Sequence, residues 1–122
     1  MEAFSKEKFL KRLYDYALSI IKFTEGISKD MNSKVLSNQL LRSGTSVTAN
    51  VMEAQSASSK KDYINFYRHA LKSANESKLW ISLMRDSKKC PEEQAEQLIR
   101  ETVELSKILA SSIITMKGHK KD

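Results

Sequence analysis

The sequence predicts a soluble all-α protein, an antiparallel up-down-up-down four-helix bundle, and three observations lead to this fold class. Apolar residues recur at spacings of three and four along most of the chain. Gly and Pro, which loops and turns normally use, number only 3 and 1. Four long helical segments are separated by a few residues each, and short connections favour antiparallel neighbours. The 122 residues fit one domain, predicted over 1–122.

The first predicted helix covers residues 5–29 and ends where Gly, Ser, Asp and Asn cluster. Ser5 is a suitable N-cap, because its hydroxyl can accept a hydrogen bond from a free backbone N–H of the first turn. The expected inner face combines Leu10, Leu13, Ala17, Ile20, Thr24 and Ile27, and it is widened by Tyr14, Leu18 and Ile21.

The second predicted helix covers residues 33–56 and is unusual in composition. Its inner face is expected to contain Leu36, Leu40, Gly44, Val47, Val51 and Ala54. Most other positions are polar but uncharged, whereas an exposed helix usually carries more Lys and Glu. The helix is therefore expected to be buried on more than one side. Two explanations stay open: it occupies the centre of the monomer, or it forms a self-association surface.

The third and fourth predicted helices cover residues 59–86 and 91–117. Ser59 and Asp62 resemble a capping box at the start of the third, with Asp in place of Glu. Pro91, a favoured residue of the first turn, opens the fourth helix. The inner face of the third helix is expected to contain Tyr63, Phe66, Tyr67, Ala70, Ala74, Ser77, Ile81 and Met84. That of the fourth is expected to contain Leu98, Thr102, Leu105, Leu109, Ser112 and Met116.

The residues that most catalytic and metal sites need are scarce. Cys90 is the only cysteine, which rules out a disulfide framework within one chain and favours the cytoplasm. The two histidines form no Glu-x-x-His pair, and neither a phosphate-binding Gly-rich loop nor a nucleophile elbow is present. His69 is expected to be structural or exposed. We therefore predict no catalytic residue, no metal site, no cofactor and no membrane span.

Basic residues suggest a polyanionic partner. The formal net charge is +6, and such an excess favours nucleic acid through counterion release. Lysines and arginines share a face of the third helix and cluster near the start of the first. The alternative is a solvated face whose Lys stems cover apolar surface. The candidate nucleic-acid-binding residues are Lys8, Lys11, Arg12, Lys60, Lys61, Arg68, Lys72 and Lys78.

Four further polar residues are interpreted as structural or interface groups. Arg42, Asn50 and Glu53 lie on the second helix, and Glu76 lies on the third. Because the second helix has so few charges, Arg42 and Glu53 are expected to find partners within the bundle or across subunits.

Three segments resemble a known family: Gln39–Ala54, Ser59–Phe66 and Ala70–Ile81. They are similar to the signature of a bacterial four-helix-bundle family, some of whose members are encoded by intervening sequences inside 23S ribosomal RNA genes. A related member is the accessory variability protein of diversity-generating retroelements. Thr48 departs from the pattern, since Gly is common there, and it adds bulk to the second helix.

The resemblance implies a ring, typically a homopentamer, without enzymatic activity. In the retroelement member a basic ring partners a reverse transcriptase and nucleic acid. Two functions follow as expectations. The first is a non-enzymatic basic oligomeric scaffold that binds RNA or DNA, with or without a nucleic-acid enzyme. The alternative is a protein-interaction accessory subunit, for example of a reverse transcriptase, without independent nucleic-acid binding.

Overall fold

Four helices account for all regular structure in residues 5–118, the part of the chain that the computed structural model describes. They are α1 (Lys6–Glu25), α2 (Met31–Ala54), α3 (Lys60–Asp86) and α4 (Glu92–Gly118). α2 packs between α1 and α3, α3 also packs on α4, and α1 touches α4 at only a few points. The all-α four-helix bundle predicted from the sequence is confirmed. None of the described helices is apolar enough over its length to cross a membrane.

Cross-helix contacts run in opposite sequence order. Between α2 and α3, Ser43 hydrogen-bonds Ser77 at 2.8 Å and Ser46 hydrogen-bonds Ser73 at 3.0 Å. Residue numbers thus rise along one helix as they fall along the other, which is the order expected of antiparallel neighbours. The full up-down-up-down arrangement stays a prediction, and these pairs support it.

α1 ends at Glu25, so the prediction of a helix to residue 29 was too long. The N–H of Gly26 donates to the carbonyl of Phe23 at 3.1 Å, a tight bond that closes the last turn. Four residues after Gly26, Asp30 already serves as the N-cap of α2, because its carboxylate accepts from the N–H of Ser33 at 3.0 Å. α2 therefore begins at Met31, earlier than the predicted residue 33.

Asp30 also links the α1–α2 connection to the α3–α4 connection through an ion pair. Its carboxylate accepts from the Ser28 hydroxyl at 2.7 Å, and Lys89 from the α3–α4 connection approaches within 3.4 Å. The Ser28 hydroxyl, followed by the Ser33 N–H, holds the pKa of this carboxyl well below its ordinary range. Because the predicted start of α2 was residue 33, Asp30 was not predicted as its N-cap.

The core face of α1 is rotated from the predicted face. Leu13 and Ile20 are buried as expected, but the widening by Tyr14, Leu18 and Ile21 was wrong, since all three are exposed. The residues that complete the buried face are Phe9, Tyr16 and Phe23. Both sets have helical spacing, and the three aromatic side chains bury more apolar surface than the alternative set.

α1 and α2 approach closely at a glycine. Gly44 is buried, and a Cβ atom there would lie only 2.8 Å from the Ile20 side chain. One turn further along α2, the Thr48 hydroxyl donates to the backbone carbonyl of Leu13 at 2.6 Å. The small residues of α2 thus serve close packing inside the monomer, which was one of the two explanations for its composition.

A buried hydroxyl cluster, formed by Tyr16, Ser43, Ser77 and Thr102, takes one residue from each helix. The Tyr16 and Thr102 hydroxyls lie 2.7 Å apart, and Ser43 and Ser77 form the second pair. Burial raises the pKa of Tyr16 to about 12, while hydrogen bonds from Thr102 and Ser77 act in the opposite direction. The hydroxyl groups thus satisfy one another inside an apolar core.

Candidate nucleic-acid interface

The α3 basic face consists of Lys61, Arg68 and Lys72, spaced seven and four residues apart. All three are exposed, on the side of α3 opposite buried residues such as Ile81. Arg68 donates to the side-chain carbonyl of Asn65 at 3.2 Å. None of the three forms an ion pair with a carboxylate of residues 5–118. The structure therefore places these three predicted residues together, with their charges uncompensated.

Lys60 and Lys78 are exposed and flank the α3 basic face. Lys60 precedes Tyr63 by three residues, so it shares the side of α3 that carries Tyr63 and Tyr67. Lys78 lies five helical turns further on, on that same side. Both lysines thus extend the basic surface toward α4 rather than toward α2.

The candidate residues on α1 are placed differently. Arg12 donates two hydrogen bonds of 2.8 Å to the Glu101 carboxylate of α4, and Glu104 lies 3.8 Å away. The Glu101 hydrogen bonds raise the pKa of the Arg12 guanidinium. Lys11 pairs with Asp15 at 2.9 Å, while Lys8 is exposed on the helix surface. The charges of Lys11 and Arg12 are therefore compensated by neighbouring carboxylates.

The two predicted basic clusters are not brought together. Within the described residues, the backbones of α1 and α3 do not approach each other closely, although the Lys6 side chain of α1 reaches Tyr63 of α3. A ligand on the α3 basic face would thus have to cross α2 or α4 to reach Lys11 and Arg12.

Of the four predicted structural polar residues, Arg42 and Glu76 form part of the α2–α3 contact. Arg42 forms an ion pair with Glu76 and donates to Gln39 at 2.9 Å. The Asn50 amide donates to the carbonyl and hydroxyl of Ser46, each at 2.9 Å. Glu53 is exposed and makes no ion pair within residues 5–118, so its assignment to an interface stays a prediction.

Other potentially reactive groups are dispersed. His69 is exposed, and burial raises the pKa of the half-buried Cys90 thiol, which disfavours a reactive thiolate. Among the described residues, no three His, Cys, Asp or Glu side chains lie close enough together to hold a metal ion.

A groove between α3 and the C-terminal half of α4, here called the aromatic–lysine groove, has a volume of about 640 Å³. Tyr63 and Tyr67 stack with ring centroids 5.1 Å apart, and the Lys6 ammonium lies 5.2 Å from the Tyr63 ring centre. Lys107 brings a second positive charge, and no lining residue is acidic. Ser111, Ser112 and Thr115 provide hydroxyls on the α4 side.

The two tyrosines of this groove titrate differently. Burial raises the pKa of Tyr67, and its hydrogen bond with Tyr63 raises it further. Burial also acts to raise the pKa of Tyr63, but hydrogen bonds with Tyr67, Lys6 and Gln55 outweigh it and leave the pKa lowered. The polar groups around Tyr63, the Lys6 ammonium among them, thus favour its charged form.

A second groove, the α1–α4 groove, lies along the N-terminal half of α4 and measures about 760 Å³. It exists because α1 and α4 touch at few points. Its walls carry three acidic and three basic side chains, namely Asp15, Glu101, Glu104, Arg12, Lys22 and Arg100.

Large apolar side chains are exposed in two patches. The α1/α2 apolar patch consists of Tyr14, Leu18, Ile21, Leu41 and Met52. Leu41 and Met52 lie seven residues before and four after Thr48, whose hydroxyl bonds α1, so they border the α1 side of α2. The α2/α3 apolar patch consists of Met31, Val35, Leu79 and Leu83.

Sequence reasoning missed Lys6 and Lys107 as candidate ligand-binding residues. Each lies on a different helix from the tyrosines, and nothing local indicates that they meet. Tyr63 and Tyr67 are four residues apart, as are Lys107 and Ser111, so each pair signals a shared face without revealing the partner helix.

These features define a class of protein: a small four-helix bundle with an uncompensated basic helix face and exposed apolar patches. The chain belongs to the family described as 23S rRNA-intervening sequence protein, whose family model matches residues 5–111. The resemblance found in Gln39–Ala54, Ser59–Phe66 and Ala70–Ile81 is thereby confirmed.

A crystal structure shows the same fold in a relative. It is that of a protein with unknown function from the S23 ribosomal protein family of Bacteroides thetaiotaomicron VPI-5482, with a TM-score of 0.81 and 34% sequence identity. The match covers 86% of this chain and 97% of that chain. Among curated proteins, none matches this chain.

Proposed function

We propose that this protein is a non-enzymatic basic scaffold that self-associates and binds nucleic acid through the α3 basic face. The observation that carries the proposal is the absence of carboxylate partners for Lys61, Arg68 and Lys72 among residues 5–118. Three exposed cations spaced over three turns of one helix face can follow a row of phosphates and release counterions. Contacts to phosphates would position the scaffold without reading sequence.

Charge reversal tests this interface. We expect Lys61→Glu, Arg68→Glu and Lys72→Glu together to abolish binding of a short RNA or DNA duplex at moderate salt. At lower salt, where binding stays measurable, the loss of three phosphate contacts should lower the slope of log affinity against log salt by about 2.7. Fluorescence anisotropy across a salt series measures both effects.

The control triple is Lys22→Glu, Lys29→Glu and Arg100→Glu, which changes the net charge equally at exposed positions elsewhere. Comparable losses in both triples would show that overall charge alone governs binding, and would remove the α3 basic face from consideration.

Self-association is supported by the two apolar patches. A ring closes through a heterologous contact, in which one surface of a subunit meets a different surface of the next. The α1/α2 apolar patch borders α1 and the α2/α3 apolar patch extends onto α3, so one subunit offers two different surfaces for such a contact. The antiparallel register of the α2–α3 serine pairs brings Val35 near the level of Leu83, so the second patch draws on both helices. A homopentamer, as the family resemblance implies, would use both patches in every subunit.

Light scattering on nuclease-treated protein tests the ring. We expect a mass near five times the 13.9 kDa chain for the wild type. Leu18→Glu and Leu83→Glu should each dissociate it, because each places a charge in one half of the contact. Ile114→Glu, at an exposed position of α4 outside both patches, should not.

Mixing the two dissociated variants sharpens the test. Each variant keeps one intact apolar patch, and the two intact patches differ. An equimolar mixture should therefore form a heterodimer through a single restored contact. A mixture that stays monomeric, beside a wild-type assembly that both variants break, would indicate an interface of identical surfaces instead.

The exposed apolar patches also favour a second function, an accessory subunit that binds another protein in the cytoplasm, for example a reverse transcriptase. Apolar surface of this kind marks protein contacts more than nucleic-acid contacts. Purified reverse transcriptase bound in the absence of nucleic acid, and lost in Leu18→Glu, would support this alternative. Binding only when RNA or DNA is present would support the first function.

A further inference from the structure

The aromatic–lysine groove combines three chemical features that lie apart elsewhere on the molecule. Lys6 and Lys107 provide positive charge without any acidic lining residue. Tyr63 and Tyr67 form a stacked aromatic wall. Three hydroxyl side chains of α4, on Ser111, Ser112 and Thr115, complete the lining. A ligand that satisfies all of them is anionic, has a flat ring and accepts hydrogen bonds.

We propose that this groove binds an unpaired nucleotide of a single-stranded nucleic acid, with the phosphate at Lys6 and Lys107 and the base against Tyr63. Cationic grooves with aromatic side chains are the recurring solution for single strands, because every base has a π-face. A paired base cannot reach the ring, since both its faces are covered by stacking in the duplex. The inference rests on the proposed function and names the form of nucleic acid.

The size and position of the groove fit this ligand. A volume of about 640 Å³ lies within the usual range for small-molecule sites, which spans about 300–1,000 Å³. Lys60, three residues before Tyr63 on the same side of α3, joins the groove to the neighbouring Lys61 of the α3 basic face. A strand that follows the α3 basic face would thus meet the groove at its end.

The contacts of Lys6 indicate how the ligand would enter. Its ammonium lies over the Tyr63 ring, and its long side chain is exposed. Stacking on Tyr67 covers one side of the Tyr63 ring. A base that stacks on the other face of the Tyr63 ring displaces the Lys6 ammonium from that face. The ammonium then pairs with the phosphate of the same nucleotide.

A matched comparison of single and double strands tests the proposal. The probes are a labelled twelve-nucleotide oligothymidylate and a duplex of equal length, titrated at fixed salt. We expect Lys6→Gln with Lys107→Gln to weaken single-strand binding by about tenfold, as loss of charged contacts would, and to leave duplex binding within about twofold. The single-strand salt slope should fall by about 1.4, because two phosphate contacts are lost.

A second variant separates stacking from charge. Tyr63→Leu keeps apolar volume but removes the ring, so single-strand affinity should fall by about tenfold with no change in the salt slope. The charge-matched control is Lys22→Gln with Arg100→Gln in the α1–α4 groove, which should leave the preference between single strand and duplex unchanged. Circular dichroism melting confirms that each variant folds.

The outcomes distinguish this site from the proposed function. Wild-type protein that binds neither probe overturns both. If both groove variants bind normally while the charge-reversal triple of the α3 basic face does not bind, the proposed function is kept and the groove assignment is overturned. Equal loss of single-strand and duplex binding in Lys6→Gln with Lys107→Gln overturns the preference for an unpaired nucleotide. Binding of a poly-glutamate peptide that both groove variants lose overturns the nucleotide assignment in favour of an acidic polypeptide.

Discussion

The two grooves along α4 are similar in size but differ in charge balance. The aromatic–lysine groove has two lysines and no acid, whereas the α1–α4 groove has three acids facing three bases. Arg12, a candidate for phosphate contact by sequence, lies in the second groove and is held by Glu101. The comparison shows that a cation is available to a polyanion only where no carboxylate of the protein already forms an ion pair with it. The net charge of +6 does not reveal which cations remain available.

The buried Tyr16 lines the α1–α4 groove, and raising the pH should produce the largest effect there. Burial raises the pKa of Tyr16 to about 12, above its unfolded value of 10.0. The folded state holds this proton more tightly, so the stabilisation is complete below pH 10 and is lost as the pH rises toward 12. Denaturant unfolding should show a loss on the order of 2–3 kcal/mol from Tyr16 across that window.

Tyr16→Phe is the control, because it removes the titrating hydroxyl and keeps the ring. Its free energy of unfolding should fall less steeply than that of the wild type between pH 10 and 12. Parallel curves would mean that Tyr16 does not titrate in the folded state at a raised pKa.

The packing of α1 against α2 depends on the contact between Gly44 and Ile20, and Gly44→Ala should weaken this packing. A Cβ 2.8 Å from the Ile20 side chain forces α1 outward or strains a buried rotamer. Against this, Ala favours the helix by about 1 kcal/mol relative to Gly. We expect a net loss of about 1–2 kcal/mol in the free energy of unfolding, which is measured by urea titration.

Gly118→Ala is the matched glycine control, since a Cβ there meets nothing within 4 Å. It should leave stability unchanged or slightly raised. If Gly44→Ala were equally neutral, Ile20 would adapt freely and the α1–α2 contact would be looser than it appears.

The charge difference between the grooves can be removed by Glu101→Gln with Glu104→Gln. Arg12, Lys22 and Arg100 would then face no more than Asp15, and the α1–α4 groove would resemble the other groove in charge. At low salt, oligothymidylate affinity should rise by about threefold or more, which anisotropy measures. Glu92→Gln with Glu93→Gln alters the net charge equally at the start of α4. An identical rise there would mean that net charge, rather than the groove, governs affinity.

The smallest effect is expected at the exposed rim, where Lys11 pairs with Asp15 one helical turn away. Exposed pairs of this spacing contribute at most about 0.5 kcal/mol. Lys11→Ala should therefore change the melting temperature very little, and polyanion affinity should stay near that of the wild type. A loss of affinity as large as that of Lys72→Ala would show that Asp15 does not compensate Lys11.

Local signals predicted the helices better than their partners. The apolar residues of α2, the cap at Ser59 and the common face of Lys61, Arg68 and Lys72 depend on spacing along one helix, and the structure has them as expected. On α1 two faces have equally good helical spacing, and packing against α2 and α4 selects the one with Phe9 and Tyr16. Sequence alone could not make that choice.

The candidate site shows the same distinction between signals within one helix and contacts between helices. The α3 basic face was predicted because its members share one helix. The pairing of Arg12 with Glu101 joins residues 89 positions apart, and the meeting of Lys6 with Tyr63 depends on where α1 begins relative to α3. Such pairs follow from tertiary packing, so a sequence without aligned relatives leaves them undetermined.

The buried hydroxyl cluster limits how this bundle can move. A helix that slid by one turn would travel about 5.4 Å and strand its hydroxyl among leucine and isoleucine side chains. Since each helix supplies one of the four groups, piston-like motion of any one of them would break a bond held by another. We therefore expect a bound strand or a neighbouring subunit to displace the bundle as a rigid unit, with bending confined to the helix ends.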